Sequence, residues 1–520
     1  MEIARYFVET AGDREIIESL KSNQPTLLVG SRGTGKTMLL KIAEKEISDD
    51  FHNRKKLPVF VNLSSCSIHN TNMILNVIIS RTLISLRKSL REHGILLKGN
   101  IFKPVTDVNL NPIVAKLEEY IADSSEVDDE SAEIEINSNQ IQKDTAQLID
   151  FLTELCDEYK FISIVFFFDE ACQVFCPSQQ RIFFDFFRAM RAHNIVCKAS
   201  VYPGIVSYGS FQKFHDATIK RIERSIVSTD YVEKMREIVR RNYPNLYTKF
   251  EQQGELLDNI IFYSSGNPRF LLKSINEIIS DNNKLTVQRS NDVIKDFYGT
   301  TIWSEHVKLS QIYPGHAIMI NWARNFIENT VIPSIHKINN SPQSKTTIYF
   351  VISRRAPEVV RQAIKTLEYS GIISLHTEGT KYRNEMYDRY ELNLGIVVLS
   401  EKQVSVQKRG KEIVSNLSVK VFPDYGTSSS SYENYNTLSD ISSYEADTDE
   451  LIAAVTNQNI DALELSLKMK NRLHANDFNY INDVFIRGED ELRTIPYIGV
   501  IRSRKIANLV FNAILEYISG

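Results

Sequence analysis

The sequence predicts an α/β protein built on a doubly wound parallel sheet, and two patterns carry that prediction. Short apolar runs at 26–29, 57–63, 161–168 and 194–202 alternate with stretches of helical periodicity. The run at 161–168 is apolar at almost every position, as in a parallel strand that is covered on both faces. Helices that alternate with buried strands indicate a parallel sheet with helices on both sides. A short fifth strand is predicted at 224–228.

Length and composition limit the classes of protein to consider. At 520 residues the chain is too long for one hydrophobic core, so several domains are expected. Its composition, 42% apolar and 24% charged, is that of an ordinary soluble protein. The formal net charge is −4, so any surface that binds nucleic acid has to be a local patch.

The cysteines and the N-terminus predict the compartment. Five cysteines and an N-terminus without a leader pattern indicate a cytoplasmic protein with reduced thiols. Cys172 and Cys176 lack a further Cys or His pair at ligand spacing, so we expect them to pack rather than to bind metal. The longest apolar run, 162–168, is too short to cross a bilayer, and no membrane contact is expected.

Changes of pattern along the chain predict five segments. The first segment carries an acidic stretch at 122–140, with seven acids and no base over 122–137, which predicts a flexible exposed insertion. Residues 424–450 are rich in Ser and Tyr and poor in aliphatic residues, which indicates a linker. The segments are a sheet-containing core at 1–230, a helical lid at 231–310, a winged helix at 311–402, a connector and flexible linker at 403–450, and a small all-α domain at 451–520.

The winged-helix prediction rests on three helical stretches that precede a β-hairpin. The helical stretches are 316–329, 344–354 and 357–370, and the hairpin strands are 372–376 and 386–399, with Gly379 between them.

A glycine-rich string lies between the first predicted strand and a helix. It reads GSRGTGKT and satisfies G-x-x-x-x-G-K-[ST], the phosphate-binding loop (P-loop). Glycines let backbone amides wrap a phosphate closely, at the positive end of the helix dipole. Lys36 supplies a cation for the β- and γ-phosphates, and the Thr37 hydroxyl is a magnesium ligand. The predicted nucleotide contacts are Gly30, Ser31, Arg32, Gly33, Thr34, Gly35, Lys36, Thr37 and Met38.

Two acids, Asp169 and Glu170, follow the third predicted strand. In parallel sheets ligands bind at the carboxyl ends of the strands, which brings Asp169 beside the phosphate loop as a magnesium ligand. Glu170 is placed to polarise the attacking water as the catalytic base. No guanine-reading N-K-x-D string occurs, so ATP with Mg²⁺ is the predicted cofactor pair.

These motifs resemble those of AAA+ ATPases, and more closely those of the origin-recognition-complex-type initiator ATPases and their bacterial relatives. The resemblance covers about residues 1–400. It is carried by Phe7 with Gly12, Asp13, Arg14 and Glu15, by the phosphate loop, by Asp169 and Glu170, and by Gly266, Asn267, Pro268 and Arg269.

The resemblance implies roles for further residues. Arg269 would contact the γ-phosphate from the lid, and Ser200, at the end of the fourth strand, would be the first sensor. Arg221 and Arg224, taken to lie between the fourth and fifth strands, would offer an arginine finger to a neighbouring subunit. A self-associating protein, or one with a partner that supplies the finger, is therefore expected.

Basic residues of the winged-helix segment predict contact with DNA phosphates. Arg361 and Lys365 lie one turn apart on the face of the predicted recognition helix opposite its apolar residues. Arg354 and Arg355 precede this helix, and Lys381 and Arg383 fall at the wing tip. A winged helix that contacts protein instead is the alternative.

The tail contains a helix-hairpin-helix pattern at 495–500, IPYIGV. The wider segment resembles the C-terminal domain of bacterial RNA polymerase α subunits. By that resemblance Lys468, Asn471 and Gly499 would touch the DNA minor groove. Docking of a protein by this domain is the alternative.

Together these patterns predict a DNA-associated ATPase that uses ATP binding and hydrolysis as a switch, in replication, mobile-element handling or phage defence. A nucleotide-gated signalling scaffold, whose last two domains bind proteins, is the second hypothesis. Transcriptional regulation is a third, and it rests only on the polymerase-like tail.

Overall fold

We analysed a computed structural model of the chain. It describes residues 6–10, 12–63, 74–95, 138–172, 177–204, 206–280, 284–312, 316–341, 345–399, 401, 407–432, 456–463 and 465–518. Contacts divide the chain into two compact units. The first unit consists of Met1–Gly30, Gly35–Tyr202 and Val206–Glu223, and the second of Ser31–Thr34, Pro203–Ile205 and Arg224–Gly520.

The first unit alternates strands and helices. Its strands are β1 Thr26–Val29, β2 Lys56–Asn62, β3 Ser163–Asp169, β4 Ile195–Val201 and β5 Thr218–Arg221. Its helices are α1 Asp13–Lys21, α2 Lys36–Asp49, α3 Phe51–Arg54, α4 Ile74–Glu92, α5 Ser138–Tyr159, α6 Pro177–Ala189 and α7 Lys213–Asp216.

The five strands form one parallel sheet in the order β2-β3-β4-β1-β5. Successive residues of the central strand β3 enter cores on opposite faces. Phe166 and Phe168 pack with α4, α5 and α6, whereas Val165 and Phe167 pack with α1 and α2. The predicted doubly wound α/β class is confirmed, and the first four predicted strands lie within two residues of the observed ones.

The predicted position of the fifth strand is wrong. Residues 218–221 pair with β1, and the predicted strand at 224–228 lies in the turn-rich segment that follows. Strand β5 is at the edge of the sheet, and its residues are exposed or half-buried. It therefore lacks the apolar run that marks the buried strands.

The second unit is mostly helical. Its first helices are α8 Tyr231–Asn242, α9 Tyr247–Glu251, α10 Gly254–Tyr263, α11 Pro268–Ile279, α12 Val287–Asp296, α13 Ile302–Val307 and α14 Leu309–Ile312. The next are α15 Ala317–Phe326, α16 Ile332–Asn339, α17 Glu358–Ser370, α18 Leu394–Leu399 and α19 Arg409–Ser415, and π-helical turns at Phe297–Thr301 and Ile327–Val331 join α12 to α13 and α15 to α16. The C-terminal helices are α20 Leu467–His474, α21 Ile481–Leu492 and α22 Val500–Ile518, after a 3-10 turn at Ile460–Ala462.

A second sheet has the order β7-β8-β6-β9, with β6 Tyr349–Ser353, β7 Ile373–Tyr382, β8 Glu385–Leu392 and β9 Asp424–Tyr425. The predicted helix at 344–354 is therefore wrong, because its second half is strand β6. All five residues of β6 are buried. A fully buried strand gives an apolar run that periodicity does not distinguish from a buried helix.

The predicted hairpin is present, but its turn lies elsewhere. Arg383 and Asn384 connect β7 to β8 with φ of 44° and 64°, the two left-handed residues of a type I′ turn. Gly379, expected between the strands, lies within β7 at an irregularity of the register. Its amide donates to Asp388 Oδ1 at 2.9 Å.

Part of the predicted linker is folded. Asp424 and Tyr425 pair with β6, and Tyr432 is 3% exposed with its hydroxyl donating to Tyr425 O at 3.0 Å. The linker prediction is wrong over 424–432, where buried tyrosines provide the apolar area that serines lack, and 433–450 lies outside the described residues. The acidic insertion also lies outside them up to residue 137, while 138–140 begin α5.

The C-terminal residues have a core of their own. It is built by Ile460, Leu473, Phe478, Ile481, Val484, Leu492, Ile495, Ile498, Ile506 and Val510, with Leu463 at its edge. None of the helices in the described ranges is long and apolar enough to cross a membrane. Within those ranges no group of His, Cys, Asp and Glu side chains is placed to hold a metal ion. Cys172 is buried, and Cys176 is outside the described residues.

Candidate functional site

The loop after β1 has the backbone of a phosphate-binding loop. Gly33 and Gly35 have φ of 92° and 97°, in the left-handed region that glycine adopts without strain. Gly35 is also the N-cap of α2 and has no side chain to bond the first amides of that helix. Those amides and the positive end of the helix dipole form the kind of terminus that binds anions.

Lys36 is held within the first unit by two contacts. Its side chain is buried, Nζ donates to Gly30 O at 2.6 Å, and Nζ lies 3.9 Å from the centre of the Tyr202 ring. A cation over an aromatic face is attracted by the ring quadrupole. Tyr202 therefore positions the lysine that the sequence predicts as the phosphate ligand.

Ser200 forms hydrogen bonds to both of the predicted acidic residues. Its hydroxyl donates to Asp169 Oδ1 at 2.6 Å and accepts from the amide of Glu170 at 2.9 Å. Strand β4 lies between β3 and β1, so the end of β4 stands between the acids and the phosphate loop. Asp169 is 2% exposed, and Glu170 leaves the strand with φ of 56°. The predicted first sensor thus contacts both acids.

One face of β4 carries the polar contacts of this site. Lys198 and Ser200 alternate along the strand, and Tyr202 continues the alternation directly after its last residue, so the three side chains are expected on the same side. Lys198 is fully buried and donates to Ser19 O at 2.9 Å, to Gln24 O and to Thr26 Oγ1, while burial lowers its pKa to about 7. The sequence interpretation missed Tyr202. The alternation of polar residues in an otherwise apolar strand is the signal that could have identified it.

Within the second unit, the loop tip 31–34 is contacted by Asn267. Its Nδ2 donates to Arg32 O at 2.9 Å, and its Oδ1 accepts from the amides of Arg269 and Phe270 at 3.0 and 3.3 Å, which caps α11. A Cβ on Gly33 would lie 2.6 Å from Arg269 Cβ. Gly33 is therefore required for this close approach as well as for its backbone angle.

The turn that precedes Asn267 is fixed by buried Tyr231. Its hydroxyl accepts from the amide of Gly266 at 2.9 Å and donates to Ile261 O at 2.9 Å. Burial raises the pKa of Tyr231 to about 12. The hydroxyl therefore stays protonated and keeps both bonds across the neutral pH range.

The two candidate finger arginines are not placed as expected. Arg221 is the last residue of β5 and Arg224 follows it, so neither lies between the fourth and fifth strands. Arg224 Nη1 donates to Thr34 O of its own chain at 2.7 Å. Its guanidinium contacts the loop tip within the same subunit.

The predicted recognition helix is α17, and none of its residues is exposed. Arg361 pairs with Glu358 at 2.6 Å. On the same face, the carbonyl oxygen of Lys365 is so close to Gly204 that a Cβ on this glycine would collide with it. Arg361 and Lys365 are half-buried in this structure, and their contact with DNA stays a prediction.

The remaining cations predicted to contact DNA differ in their surroundings. Arg354 pairs with Asp388 at 2.7 Å, and Arg383 pairs with Asp424 at 2.9 Å, so acids already neutralise both. The other predicted contacts are exposed at the surface: Arg355, Lys381, Lys468, Asn471 and Gly499.

Comparison with known proteins supports the resemblance at the N-terminus. Residues 1–68 match the family model described as ORC-CDC6-like. This match confirms the resemblance to origin-recognition-complex-type ATPases, over a segment that contains the whole phosphate loop. No curated protein sequence matches the chain.

Two solved structures from Aeropyrum pernix are similar to the chain. The ORC2 protein, solved as ADPNP and ADP complexes, is 12% identical, with a TM-score of 0.37 over 79% of this chain and 96% of that one. The ORC1 protein, solved in complex with DNA, is also 12% identical, with a TM-score of 0.31 over 77% of this chain and 93% of that one. Similarity at this level carries no functional argument, and the observed sheet establishes the fold class.

Proposed function

We propose that this protein binds and hydrolyses ATP with Mg²⁺. The observation that carries the proposal is the bonded set of Asp169, Ser200 and Glu170 at the carboxyl ends of β3 and β4, next to the strand that leads into the phosphate loop. A buried carboxylate and the Thr37 hydroxyl offer the oxygen ligands that Mg²⁺ prefers. The match of residues 1–68 to the ORC-CDC6-like model adds support.

Each residue of the proposed site has its own role in binding or hydrolysing ATP. The amides of Gly33 to Thr37 bind phosphate oxygens, and Lys36 exchanges Gly30 O for a phosphate oxygen while the Tyr202 ring keeps its stem in place. Bound Mg²⁺ neutralises developing charge on the phosphates. Glu170 accepts a proton from the attacking water, and Ser200 holds its backbone in register with Asp169. We assign to Arg269, beside Gly33, a contact with the γ-phosphate.

Two variants test the ATPase. Lys36→Ala removes the phosphate cation and should abolish nucleotide binding. Glu170→Gln should keep ATP binding but stop turnover. Binding is measured by titration with a fluorescent ATP analogue, and turnover by phosphate release. If Glu170→Gln hydrolysed ATP at the normal rate, Glu170 would not be the base.

We further propose that the ATPase is a DNA-associated switch. A chain of contacts in the second unit supports coupling. The Arg32 amide donates to Tyr369 O at 3.3 Å in the last turn of α17, and the Glu358 amide, in its first turn, donates to Asn508 Oδ1 of α22 at 3.0 Å. A single helix thus connects the tip of the phosphate loop to the C-terminal domain.

A nucleotide-gated scaffold that binds proteins remains the second candidate function, and the pairing of Arg354, Arg361 and Arg383 with acids favours it. The two functions differ in their salt dependence. DNA affinity that is strong at low salt and falls steeply as salt rises supports the first function. A protein that binds no DNA with ATP present supports the second.

The proposed ATPase also includes association of the chain with a second copy of itself, or with a partner, that supplies an arginine finger. Arg221 and Arg224 stay the candidates for an arginine finger, although Arg224 already contacts its own loop tip. Mass photometry with ATP, read beside the specific ATPase rate at increasing protein concentration, tests whether turnover needs a neighbouring subunit. Cytoplasmic residence stays a prediction.

A further inference from the structure

A tyrosine in the C-terminal domain occupies a backbone position that favours glycine. Tyr497, in the turn before α22, has φ of 69°. A bulky residue in the left-handed region is strained, and such strain is commonly retained where the side chain has a function. The Tyr497 side chain contributes little to the core, because it is 74% exposed.

Two arginines hold Tyr497 in place. The guanidinium of Arg472 lies 4.5 Å from the centre of its ring, and Arg502 Nη1 donates to its carbonyl oxygen at 2.6 Å. With one face against Arg472 and most of the side chain exposed, the rest of the ring is open to a ligand. This arrangement presents a fixed aromatic surface beside a cation.

The surroundings of the ring are basic. Lys468 and Arg472 lie one turn apart on α20, which places Lys468 on the face that contacts Tyr497. The stretches 466–475 and 495–508 contain six of the eight Lys and Arg residues of 451–520 and none of its eight acids. Of these six, Arg472 and Arg502 contact Tyr497 and Lys468 shares the face of Arg472, whereas Arg504 is buried and paired with Glu489.

Exposed apolar side chains lie on the same two helices. Leu467, Val500 and Ile501 are 74%, 46% and 65% exposed, on the two elements that carry the cations. An exposed aromatic ring beside cations is what stacks an unpaired nucleobase while the cations bind its phosphates. A base inside a duplex does not offer its face to such a ring.

We propose that Tyr497 is a stacking platform for an unpaired base and that this surface binds single-stranded DNA. The inference rests on the proposed DNA association and deepens it. It also differs from the minor-groove contact that the resemblance to the polymerase domain implies. An acidic protein would complement the cations but would not use the exposed ring, so it is the occupant that the tests below would reveal if Tyr497 proved dispensable.

The first test measures the affinity of the full-length protein for a labelled oligothymidine and for a blunt duplex of the same length, by fluorescence anisotropy. Tyr497→Ala should weaken oligothymidine binding at least about fivefold, the lower range for loss of one base–aromatic stack. Tyr497→Phe should bind like the wild type, since the ring and not the hydroxyl stacks. Wild-type protein that binds no oligothymidine, or no tighter than duplex, would overturn the inference.

The variant Tyr497→Gly distinguishes a loss of oligothymidine binding from a loss of folding stability. Glycine relieves the strained φ, so this variant should unfold at the same or a higher temperature and still lose oligothymidine affinity as Tyr497→Ala does. Tyr480→Ala, which removes another exposed tyrosine of the domain, is the matched control and should bind normally. Normal binding by Tyr497→Gly would sink the stacking role.

Photo-crosslinking identifies the residue that contacts the base. Oligothymidine in which 5-iododeoxyuridine replaces one base should crosslink to Tyr497 on irradiation, as mapped by mass spectrometry. A crosslink elsewhere, with none to Tyr497, would overturn the inference. Phosphate release is measured in parallel: absent ATP hydrolysis with intact Tyr497-dependent binding would refute the proposed ATPase and leave this inference standing.

Discussion

Ser200 holds Asp169 and Glu170 in position relative to each other. It lies in β4, and its hydroxyl donates to Asp169 and accepts from the backbone amide of Glu170. Lys36 and the two acids could be predicted as candidates, because they belong to sequence motifs. Tyr202 could not, because its contact with Lys36 exists only once β4 and α2 have packed.

Ser200→Ala should lower kcat by about tenfold, the effect of about 1.4 kcal/mol, while ATP affinity changes little. The loss arises because Asp169 and Glu170 are no longer held together. Steady-state phosphate release measures kcat, and titration with the ATP analogue measures affinity. Ser200→Thr keeps the hydroxyl and serves as the control. Unchanged turnover in Ser200→Ala would show that the bonds to Ser200 are structural only.

Buried His306 predicts a loss of stability in acid. It lies in α13, its Nδ1 is 2.8 Å from Ser370 Oγ, and burial lowers its pKa to about 4. The unfolded chain takes up this proton near pH 6.5 and the folded chain does not. The free energy of unfolding should therefore fall by about 2 kcal/mol per such histidine between pH 7 and pH 5.

Denaturant unfolding at both pH values measures this loss. His316, whose pKa burial also lowers to about 4, adds a similar amount. His306→Gln should lose about 2 kcal/mol less than the wild type over the same interval. An equal loss in the two proteins would assign the acid sensitivity to other groups.

At the scale of elements, the sequence predicted buried strands in the first unit but not β5 or β6. The first four strands are apolar runs flanked by helices, so their pattern and context agree. Strand β5 lacks an apolar run because it is an edge strand. Strand β6 is apolar except for its last residue, Ser353, but it is preceded and followed by helices, and only its pairing with β8 and β9 identifies it.

Arg504 of α22 lies near the contact between α22 and the first turn of helix α17, and its role there can be tested by mutation. Arg504, 6% exposed, bonds Glu489 at 2.6 Å and donates to Arg355 O and Thr427 O at 3.1 and 3.3 Å. Arg504→Ala should destabilise the C-terminal domain by about 3 kcal/mol, since it removes one partner of a buried ion pair.

The same variant should speed hydrogen exchange at the amide of Glu358, which bonds Asn508 near Arg504 on α22. Exchange read by mass spectrometry on peptides from the start of α17 measures this. Arg487→Ala, which breaks a more exposed pair with Glu491, is the control and should leave exchange there unchanged. Equal exchange in both variants would mean that Arg504 does not hold the domain against α17.

At the scale of the whole molecule, the net charge does not show how the cations proposed to bind single-stranded DNA are distributed. The chain carries −4 overall, yet its last domain concentrates six cations in two stretches without acids. If Lys468, Arg472 and Arg502 each neutralise one phosphate of a single strand, log K against log salt should have a slope of about −2. Titration of oligothymidine across salt concentrations gives the slope.

Lys468→Ala should make this slope shallower by about 0.7, the change for one lost phosphate contact on a single strand. Lys249→Ala, at an exposed position of α9, is the control. Affinity that did not change with salt would exclude phosphate contacts altogether. The contacts of α17 with both the loop tip and α22 could not be predicted, because they join residues far apart in sequence, which local patterns do not reveal.

Strand β9 has a consequence for where the chain can be divided. Its two residues come from the connector and cover one side of β6, and Tyr432 packs just beyond them. A protein truncated at 423 would leave an unpaired strand edge, which is a template for association with a second chain. Truncation after 432 keeps that edge paired, so it is the cut that should give a well-behaved, monodisperse fragment lacking the C-terminal domain.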